Sequence, residues 1–351
     1  MRYLLGLGFD IIVVAPEDDS SQYIVDMGCN FIHVPIDPKS VNPLADTALF
    51  FKLHSLYRRI KPSLIFHFTI KPNIYGSIAA GLLGIPSVAV VTGLGYTFIN
   101  DNIISRIARI LYRLGLLFAN EVWFLNNDDM EHFLANTMVD NVRVFVLPGE
   151  GIDTDFYAYV KPSQKNTFTF LFIGRLLRDK GIGEYVKVAK IASEKQMNWR
   201  FLIAGDYGVK NPAAIKKTEL DQWVSNGYVE YLGVATDVRQ FISDADCIVL
   251  PSYREGLPRV LLEAASSGRA IIATDVPGCK DVVYHEINGY LCKIKDENDL
   301  LLQMHRISSC EYGERVRLGL SGRDIVSSKY SVEIVNNIYL EHIEKLLGEK
   351  Q

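Results

Sequence analysis

The hydrophobic residues in the first half of the chain form short runs that alternate with amphipathic stretches of helical periodicity. Continuous runs rich in Val, Ile and Phe are typical of strands buried on both faces of a parallel sheet. The predicted strands are FDIIVVAP, NFIHVPI, SLIFHF, SVAVVTG, EVWFLN and VRVFVLP. Helical patterns lie between them, around 20–28, 45–60, 74–83, 101–119 and 128–137. This alternation predicts one doubly wound α/β domain.

The turn-rich segment PGEGIDTDFYAYVKPSQKN then interrupts the pattern, and a second alternation begins near residue 165. Its predicted strands are TFTFLFIG, WRFLIAGD, VEYLG, DCIVLPS, AIIATD and GYLCKI, followed by a mostly helical tail. We predict two Rossmann-like domains, over 1–155 and 156–330, and a C-terminal helix over 331–351 that packs back toward the first domain. Two such domains are expected to face a ligand cleft, because open parallel sheets bind ligands at the carboxyl ends of their strands.

The start of the sequence departs from the usual order of such a domain. The first eight residues have the pattern of the end of a helix that leads into FDIIVVAP, and no strand and loop precede that helix. We therefore expect backbone groups without a strand partner beside the first predicted strand.

Composition and charge exclude several classes of protein. Of the 351 residues 48% are hydrophobic, which excludes a disordered chain. Lys and Arg number 37 against 41 Asp and Glu, so the chain lacks the basic field that favours nucleic-acid binding. The five cysteines are scattered without zinc-ligand spacing, which predicts free thiols in a reducing cytoplasm. The N-terminal residues MRYLLGLGFD also lack the pattern of a signal peptide.

One uncharged stretch has the length of a membrane span. No charged residue occurs between Lys71 and Asp101, a gap longer than the roughly 18 residues that a minimal span requires. Several glycines and Pro86 interrupt the stretch and divide it into a short helix, a turn and a buried strand. We therefore predict that it does not span a membrane.

The first candidate for chemistry is the run FLFIGRLLRDKG. A predicted strand ends at Gly174, Arg175 follows it, and Lys180 lies just before a helix that begins near Gly181. Two cations beside a strand end and a helix N-terminus suit a diphosphate. Basic residues on a solvated loop would give the same short pattern.

The second candidate is the run PSYREGLPRVLLEAASSGRAIIATDVPGC. Glu255 follows a strand end, and Glu263 lies eight residues further on, a separation of roughly 12 Å if the intervening residues are helical. Such carboxylates can accept hydrogen bonds from sugar hydroxyls, while the amides of Gly256 and Leu257 can face an anion. Two Glu residues at this spacing also occur on ordinary surface helices. The strand end and the Gly-Leu-Pro turn beside Glu255 favour a ligand site.

These two runs closely resemble the donor-binding domain of retaining GT-B glycosyltransferases of family 4. The run HFTIKPNIYGSIAAGLLGIPSVAVVTGLGYTF resembles the subset that builds bacterial surface glycans such as capsule and O-antigen. That subset includes transferases that add N-acetylgalactosamine to undecaprenyl-diphosphate-linked sugars. Together the matches cover most of the chain, and they imply the GT-B fold.

The resemblance also implies a role for each matching residue. It assigns Arg175 and Lys180 to the donor diphosphate, Glu255 to the hexose hydroxyls and Glu263 to the nucleotide ribose. It assigns the residues after VEYLG to the base of the nucleotide. The predicted donor-binding set is Gly174, Arg175, Lys180, Gly233, Val234, Glu255, Gly256, Leu257 and Glu263.

The reaction implied by the resemblance moves a hexose or N-acetylhexosamine from a nucleoside-diphosphate sugar with retention at the anomeric carbon. The expected donor is UDP-linked, and neither a metal nor a further cofactor is expected. Arg175 and Lys180 would stabilise the departing diphosphate electrostatically, and Glu255 completes the catalytic candidates in this domain.

The resemblance does not extend to a histidine that members of the family often carry on the acceptor side. Members of the family often carry a His in the loop after the fourth strand of the first domain, but that loop is here 92–96, TGLGY. His67, at the end of SLIFHF, is the candidate catalytic residue that remains. A histidine at a strand end is also a common core residue with satisfied ring nitrogens, and both interpretations stay open.

The expected partners are a nucleotide-sugar donor and a lipid-linked or saccharide acceptor. In 101–119 arginines recur every three or four residues on a helix otherwise rich in Ile, Leu and Phe. Such a helix can contact the anionic inner face of the plasma membrane, or it can be a core helix with a solvated arginine face. The alternatives to a glycosyltransferase are a truncated, inactive GT-B nucleotide-binding protein and a GT-B sugar-nucleotide epimerase.

Overall fold

The computed structural model describes residues 1–37, 42–94, 103–209 and 211–348. The chain divides into two compact units, of which the first comprises Met1–Leu147 with the segment from Val335 onward, and the second comprises Pro148–Ile334. The sequence predicts the boundary at 155/156, within the same turn-rich segment. Residues 95–96 of the predicted acceptor-side loop and 101–102 of the predicted basic helix lie outside the described residues.

All six strands predicted for the first unit are present, and all are parallel. β1 (Ile12–Ala15) pairs with β2 (Asn30–His33) in a two-stranded sheet. A four-stranded sheet has the order β3-β4-β5-β6, with β3 (Ile65–Phe68), β4 (Ser87–Val91), β5 (Glu121–Phe124) and β6 (Val144–Val146).

The sheet of the first unit is therefore split between β1 and β3. Within the described residues, β1 pairs only with β2 and β3 pairs only with β4, so each has one edge without a strand partner. All four residues of β1 are partly exposed, whereas all five residues of β4 are buried. Val14 of β1 and Ile65 of β3 nevertheless pack against one hydrophobic cluster, which includes Leu53 and Leu56. Shared side-chain packing holds the two sheets in one unit without a ladder between them.

The helices of the first unit follow the predicted order. They are α1 (Arg2–Gly6), α2 (Ser21–Asp26), α3 (Pro43–Ile60), a π-helical turn (Pro72–Gly76) that continues into α4 (Ser77–Leu82), α5 (Ile103–Leu116) and α6 (Asn127–Ala135), with a 3-10 turn at Asn141–Arg143. Helix α3 begins after Asn42, whose side chain accepts a hydrogen bond from the amide of Leu44. The uncharged stretch forms the π-helical turn, α4 and the buried β4, as predicted. In the described part of the chain, no helix has both the length and the apolar character of a membrane span.

The second unit contains one six-stranded parallel sheet in the order β12-β11-β10-β7-β8-β9. Its strands are β7 (Phe168–Ile173), β8 (Trp199–Ala204), β9 (Glu230–Tyr231), β10 (Cys247–Leu250), β11 (Ala270–Thr274) and β12 (Gly289–Cys292). The first strand, β7, lies in the middle, and the chain order reverses between β7 and β10. Such a switch point leaves a crevice at the carboxyl ends of the strands, where doubly wound sheets bind ligands.

The helices of the second unit are α7 (Ile182–Glu194), α8 (Lys217–Ser225), α9 (Arg239–Asp244), α10 (Arg259–Ser266), α11 (Cys279–Val282), α12 (Glu297–Ser309) and α13 (Tyr312–Lys329), with a 3-10 turn at Arg178–Lys180. The last helix, α14 (Val332–Gly348), begins at the end of this unit and belongs from Val335 onward to the first unit. All five cysteines have free thiols, and four of them are buried.

A buried carboxylate joins the last helix to the sheet of the first unit. Glu121 of β5 accepts hydrogen bonds from the Trp123 indole at 2.8 Å, His342 Nδ1 at 2.7 Å and Lys345 Nζ at 3.0 Å. Burial opposes ionisation of Glu121, but these hydrogen bonds and the charge of His342 outweigh it and hold the pKa of the carboxyl below its usual value. The ionised carboxylate therefore stabilises the folded unit.

Replacing Glu121 with Ala is expected to destabilise the protein by about 1–3 kcal/mol, because it leaves the buried Trp123 N–H without its acceptor. A carboxyl whose pKa is lower in the folded than in the unfolded state stabilises the folded protein fully above its unfolded pKa. That stabilisation is lost as the pH falls. The difference in unfolding free energy between the two proteins should therefore shrink below about pH 4. Urea unfolding at several pH values measures this difference, and Glu344→Ala, at an exposed position of the last helix, is the control. Equal stability of the two variants at neutral pH would contradict this account.

Candidate active site

Three glycines mark the carboxyl ends of adjacent strands in the second unit. Gly174, Gly205 and Gly233 follow β7, β8 and β9, and all three have positive φ angles, of 156°, 138° and 81°. The amide of Gly205 donates to Gly233 O at 2.9 Å, and a Cβ on Gly205 would lie 1.9 Å from Gly174 O. The backbone at Gly205 is thus too close to that of Gly174 for a side chain, while the positive φ angles of Gly174 and Gly233 favour glycine.

A short ion pair spans the switch point of this sheet. Lys180, in the turn after β7, places its Nζ 2.5 Å and 2.6 Å from the two carboxylate oxygens of Glu255, which follows β10. Ser252 donates a further hydrogen bond to Glu255 at 2.7 Å. The side chains of Lys180 and Glu255 are 20% and 11% exposed. The structure therefore brings together two predicted site residues that lie 75 positions apart in the sequence.

Close backbone contacts hold the two loops in this position. A Cβ on Gly181, which has a φ of 73°, would lie 1.9 Å from Pro251 O at the end of β10. The amide of Tyr253 donates to Asp179 O at 2.8 Å, which connects the same two loops. Gly278 lies close to the carbonyls of Glu255 and Gly256, each of which a Cβ would approach to 2.7 Å. Side chains at Gly181 or Gly278 would push these loops apart.

The spacing predicted between the two glutamates is wrong in one respect. Helix α10 begins only at Arg259, and Pro258 before it has an extended backbone, with φ −76° and ψ 107°. Glu255 therefore lies in the loop before the helix. The distance predicted between Glu255 and Glu263 assumed eight helical residues and does not apply. The residue before a proline is biased away from helical geometry, which explains why the helix starts late.

Glu263 lies on the first turns of α10 and is almost buried. Its Oε1 accepts hydrogen bonds from the Tyr157 hydroxyl and from Arg259 Nε, both at 2.9 Å. Burial and the adjacent Glu263 carboxylate raise the pKa of Tyr157 to about 12. Tyr157 therefore stays protonated and donates to Glu263. Both of these bonds use the same oxygen, so the second carboxylate oxygen retains lone pairs for a ligand hydroxyl.

The other predicted donor residues lie on the loops after β7, β9 and β10. The side chains of Arg175 and Val234 are exposed, while Gly256 and Leu257 are partly buried. Leu257 packs against Gly149, on which a Cβ would approach Leu257 Cδ2 to 2.5 Å. These positions are compatible with the predicted site.

His67 lies in the first unit, inside the hydrophobic core. Its Nε2 is 3.0 Å from the Tyr57 hydroxyl, its Nδ1 is 3.2 Å from Ser77 Oγ, and the residue is 3% exposed. Burial lowers the pKa of His67 to about 3. Both ring nitrogens have neighbours within hydrogen-bonding distance, which favours the core-histidine interpretation of His67 over a catalytic role.

Sequence reasoning missed several residues of the second-unit site. Arg259 and Tyr157 hold Glu263, Ser252 holds Glu255, and Gly205 and Gly278 allow the close backbone contacts. The spacing of four residues between Arg259 and Glu263 on a helix was a usable signal for that ion pair. No local signal connects Tyr157 with Glu263, because 106 residues separate them.

The chain has two α/β units with parallel sheets, and one of them carries this pair of loops at its switch point. This combination defines the GT-B class of glycosyltransferases. The family model "Glycosyl transferases group 1" matches residues 167–309, and the model "Glycosyl transferase 4-like" matches residues 1–126. The chain is therefore a glycosyltransferase that combines a glycosyl transferase 4-like domain with a glycosyl transferases group 1 domain.

Individual relatives extend over nearly the whole chain. An N,N'-diacetylbacillosaminyl-diphospho-undecaprenol alpha-1,3-N-acetylgalactosaminyltransferase of Campylobacter jejuni is 28% identical over 96% of this chain and 92% of its own length. A UDP-Gal:alpha-D-GlcNAc-diphosphoundecaprenol alpha-1,3-galactosyltransferase of Escherichia coli is 25% identical over 86% of this chain and 80% of its own.

Solved structures show the same fold. A glycosyltransferase from Rickettsia africae superimposes with a TM-score of 0.82 at 16% identity, over 99% of this chain and 92% of that one. HepE from Anabaena, in complex with UDP, superimposes with a TM-score of 0.77 at 17% identity, over 96% of this chain and 100% of that one. The GT-B fold predicted from the sequence is confirmed.

Gly205→Ala should destabilise the second unit by about 2 kcal/mol or more, because a side chain there meets Gly174 O and a φ of 138° is strained for Ala. Gly183→Ala is the matched control, since Gly183 lies in α7 and a Cβ added there would have no atom within 4 Å. That variant should be neutral or more stable by about 0.5–1 kcal/mol. Thermal unfolding of both proteins measures the contrast, and a Gly205→Ala protein as stable as wild type would refute the packing described for the strand ends.

Proposed function

We propose that this protein is a retaining, metal-independent glycosyltransferase of bacterial surface-glycan synthesis. It transfers a hexose or N-acetylhexosamine from a UDP-sugar to a saccharide carried on undecaprenyl diphosphate, at the inner face of the plasma membrane. The Lys180–Glu255 pair at the switch point is the observation that carries the proposal. The names of the Campylobacter and Escherichia coli relatives, both of which refer to undecaprenol-linked sugars, support the acceptor.

The chemistry of the second-unit site suits a nucleotide sugar. Lys180 has three N–H donors, so it can bind a phosphate oxygen while it remains paired with Glu255. The exposed guanidinium of Arg175 can bind a second phosphate oxygen with two parallel hydrogen bonds. The partnered carboxylates of Glu255 and Glu263 can accept hydrogen bonds from hexose and ribose hydroxyls. The HepE complex with UDP supports the choice of base.

The proposed reaction breaks the bond between the anomeric carbon and the β-phosphate oxygen and forms a bond from that carbon to the acceptor hydroxyl oxygen. Both events occur on one face of the sugar ring, so the configuration is retained. The acceptor proton passes to the departing phosphate oxygen, which yields UDP and the extended saccharide. Arg175 and Lys180 stabilise the negative charge that develops on the leaving diphosphate.

These two cations also supply the positive charge that a divalent metal supplies in other phosphate sites. We therefore propose that the reaction needs no metal and no cofactor besides the donor substrate. The expected result is turnover that is unchanged by a chelator.

Arg175→Ala and Glu263→Ala should each weaken UDP binding by about 1–3 kcal/mol, because each removes a charged or buried polar partner. Calorimetric titration with UDP measures the loss, with and without magnesium and with a chelator. Arg200→Ala is the matched control, since Arg200 is an exposed arginine in β8 that pairs with Glu230 at 2.6 Å. Unchanged UDP affinity in both site variants would exclude the proposed donor site.

Transfer itself requires a separate assay. Wild-type protein is incubated with UDP-N-acetylgalactosamine, UDP-galactose or UDP-glucose and a short-chain lipid-diphosphate sugar, and the product linkage is read by NMR. An α-linked product from an α-linked donor is expected. UDP binding without any product would support the alternative of an inactive nucleotide-binding protein, and a β-linked product would exclude retention.

An apolar stripe on helix α5 supports the membrane part of the proposal. The stripe consists of the exposed side chains Ile107, Ile110, Leu114, Leu117 and Phe118. Ile107, Ile110 and Leu114 recur at three- and four-residue intervals and so share one face of the helix, and Leu117 and Phe118 follow its last residue, Leu116. Arg106 and Arg113, also exposed, lie along one side of this face. Apolar side chains flanked by arginines match the requirements of an anionic membrane surface.

The double variant Ile110→Asp with Leu114→Asp should lose binding to vesicles that contain phosphatidylglycerol. Sedimentation with such vesicles measures it, and phosphatidylcholine vesicles should retain much less wild-type protein because the arginines then lack anionic partners. Leu302→Asp is the control, because Leu302 is a similarly exposed leucine, 51% exposed, on a helix of the second unit. Equal binding of the double variant and wild type would show that the apolar stripe does not contact the membrane.

A further inference from the structure

The first unit contains a polar cluster that the donor site does not involve. Lys71 Nζ lies 2.6 Å from Asp46 Oδ1, and the Tyr75 hydroxyl donates to Asp46 Oδ2 at 3.0 Å. We name Asp46, Lys71 and Tyr75 the Asp46 cluster. Lys71 follows β3 by three residues, and Asp46 lies in the first turn of α3, which follows β2. The cluster is therefore at the carboxyl edge of the sheets, where parallel sheets bind ligands.

The cluster is nearly desolvated. The side chains of Lys71 and Asp46 are only 12% and 17% exposed. Burial and the hydrogen bond to Asp46 raise the pKa of Tyr75, so it stays a donor to the carboxylate. Apolar residues often replace buried ion pairs without loss of stability, because desolvation of both charges offsets their attraction. Stability of the fold alone does not explain these three polar side chains.

The backbone beside the cluster is strained. Thr69, between β3 and Lys71, has a φ of 69°, which is costly for a β-branched residue. The next turn, Pro72–Gly76, is π-helical and contains Tyr75. Left-handed residues and π-helical turns are found preferentially at functional sites. Both deviations here occur within eight residues, and they set the positions of Lys71 and Tyr75.

We propose that the Asp46 cluster binds hydroxyl groups of the acceptor saccharide. This inference rests on the proposed function, which makes a saccharide the acceptor. Asp46 can accept hydrogen bonds from sugar hydroxyls, and Lys71 can donate with the N–H groups that it does not use on Asp46. The cluster thus offers donors and acceptors side by side, as vicinal hydroxyls require.

The charge of the cluster favours a sugar over a diphosphate as its ligand. Asp46 and Lys71 carry opposite charges 2.6 Å apart, so the pair presents no net positive charge to an anion. A phosphate that approached Lys71 would also meet the Asp46 carboxylate, and the like charges would repel. A neutral, hydroxyl-rich ligand does not incur that cost.

The test uses two probes that differ only in the sugar: farnesyl-diphosphate-linked N-acetylglucosamine and farnesyl diphosphate. Asp46→Asn and Lys71→Met should weaken binding of the sugar-bearing probe by about tenfold or more, because each removes a charged hydrogen-bonding partner. Binding of farnesyl diphosphate and of UDP should be unchanged, and the acceptor KM should rise far more than kcat falls. Tyr75→Phe, which keeps the ring, should show a smaller effect of the same kind.

The matched control is Glu230→Gln, which breaks an exposed ion pair of the same length in the second unit. Unfolding temperatures show whether each variant is folded. If the Asp46→Asn protein does not fold, Tyr75→Phe still tests the proposal. If the variants bind both probes equally more weakly, the cluster is a phosphate site. If they bind the sugar-bearing probe as tightly as wild type, the cluster is purely structural. Either result overturns the proposal. Because binding is measured directly, the outcome stands even if the transfer assay shows no product.

Discussion

The parallel pairing of β7 with β10 is the constraint on which the second unit depends. These strands lie far apart in the sequence, but their register places Phe170 beside Cys247 and Leu171 beside Ile248. The chain order reverses there, so the loops after both strands emerge at one crevice. Lys180 and Glu255 meet as a consequence, and the absence of a side chain at Gly181 lets the loops touch. A buried six-stranded sheet supplies the rigid support that such a site needs.

The first unit is built on a weaker constraint. Its strands are divided between two sheets, and side-chain packing from α3 joins them in place of a ladder. The Glu121 carboxylate adds a second connection by fixing the last helix to β5. The unusual features of this unit concentrate near its carboxyl edge, where Thr69 is strained and Asp46 pairs with Lys71. The Asp46 cluster, which we propose binds the acceptor sugar, and the apolar stripe on α5 both belong to this unit, so its side chains suit a ligand that combines a sugar with a membrane lipid.

The two units thus use different physical means for their proposed partners. The proposed donor site relies on close glycine backbones and on partnered charges, which suit the electrostatic stabilisation of a leaving group. The apolar stripe on α5 is exposed and flanked by arginines, and it needs no precise geometry to rest on anionic lipid. The Asp46 cluster lies between these extremes, because it is nearly buried but retains hydrogen-bonding capacity for hydroxyls.

The sequence by itself determined the strands, the class of fold and the loops that carry the predicted donor residues, because each depends on local hydrophobic pattern or on a contiguous motif. It did not determine that α10 starts after Glu255, or that His67 is enclosed by Tyr57 and Ser77. Those facts depend on which distant segments pack together. The partners of Glu263 and Asp46 were hidden for the same reason, since Tyr157 and Lys71 come from other elements. Only the tertiary structure brings such side chains within hydrogen-bonding distance.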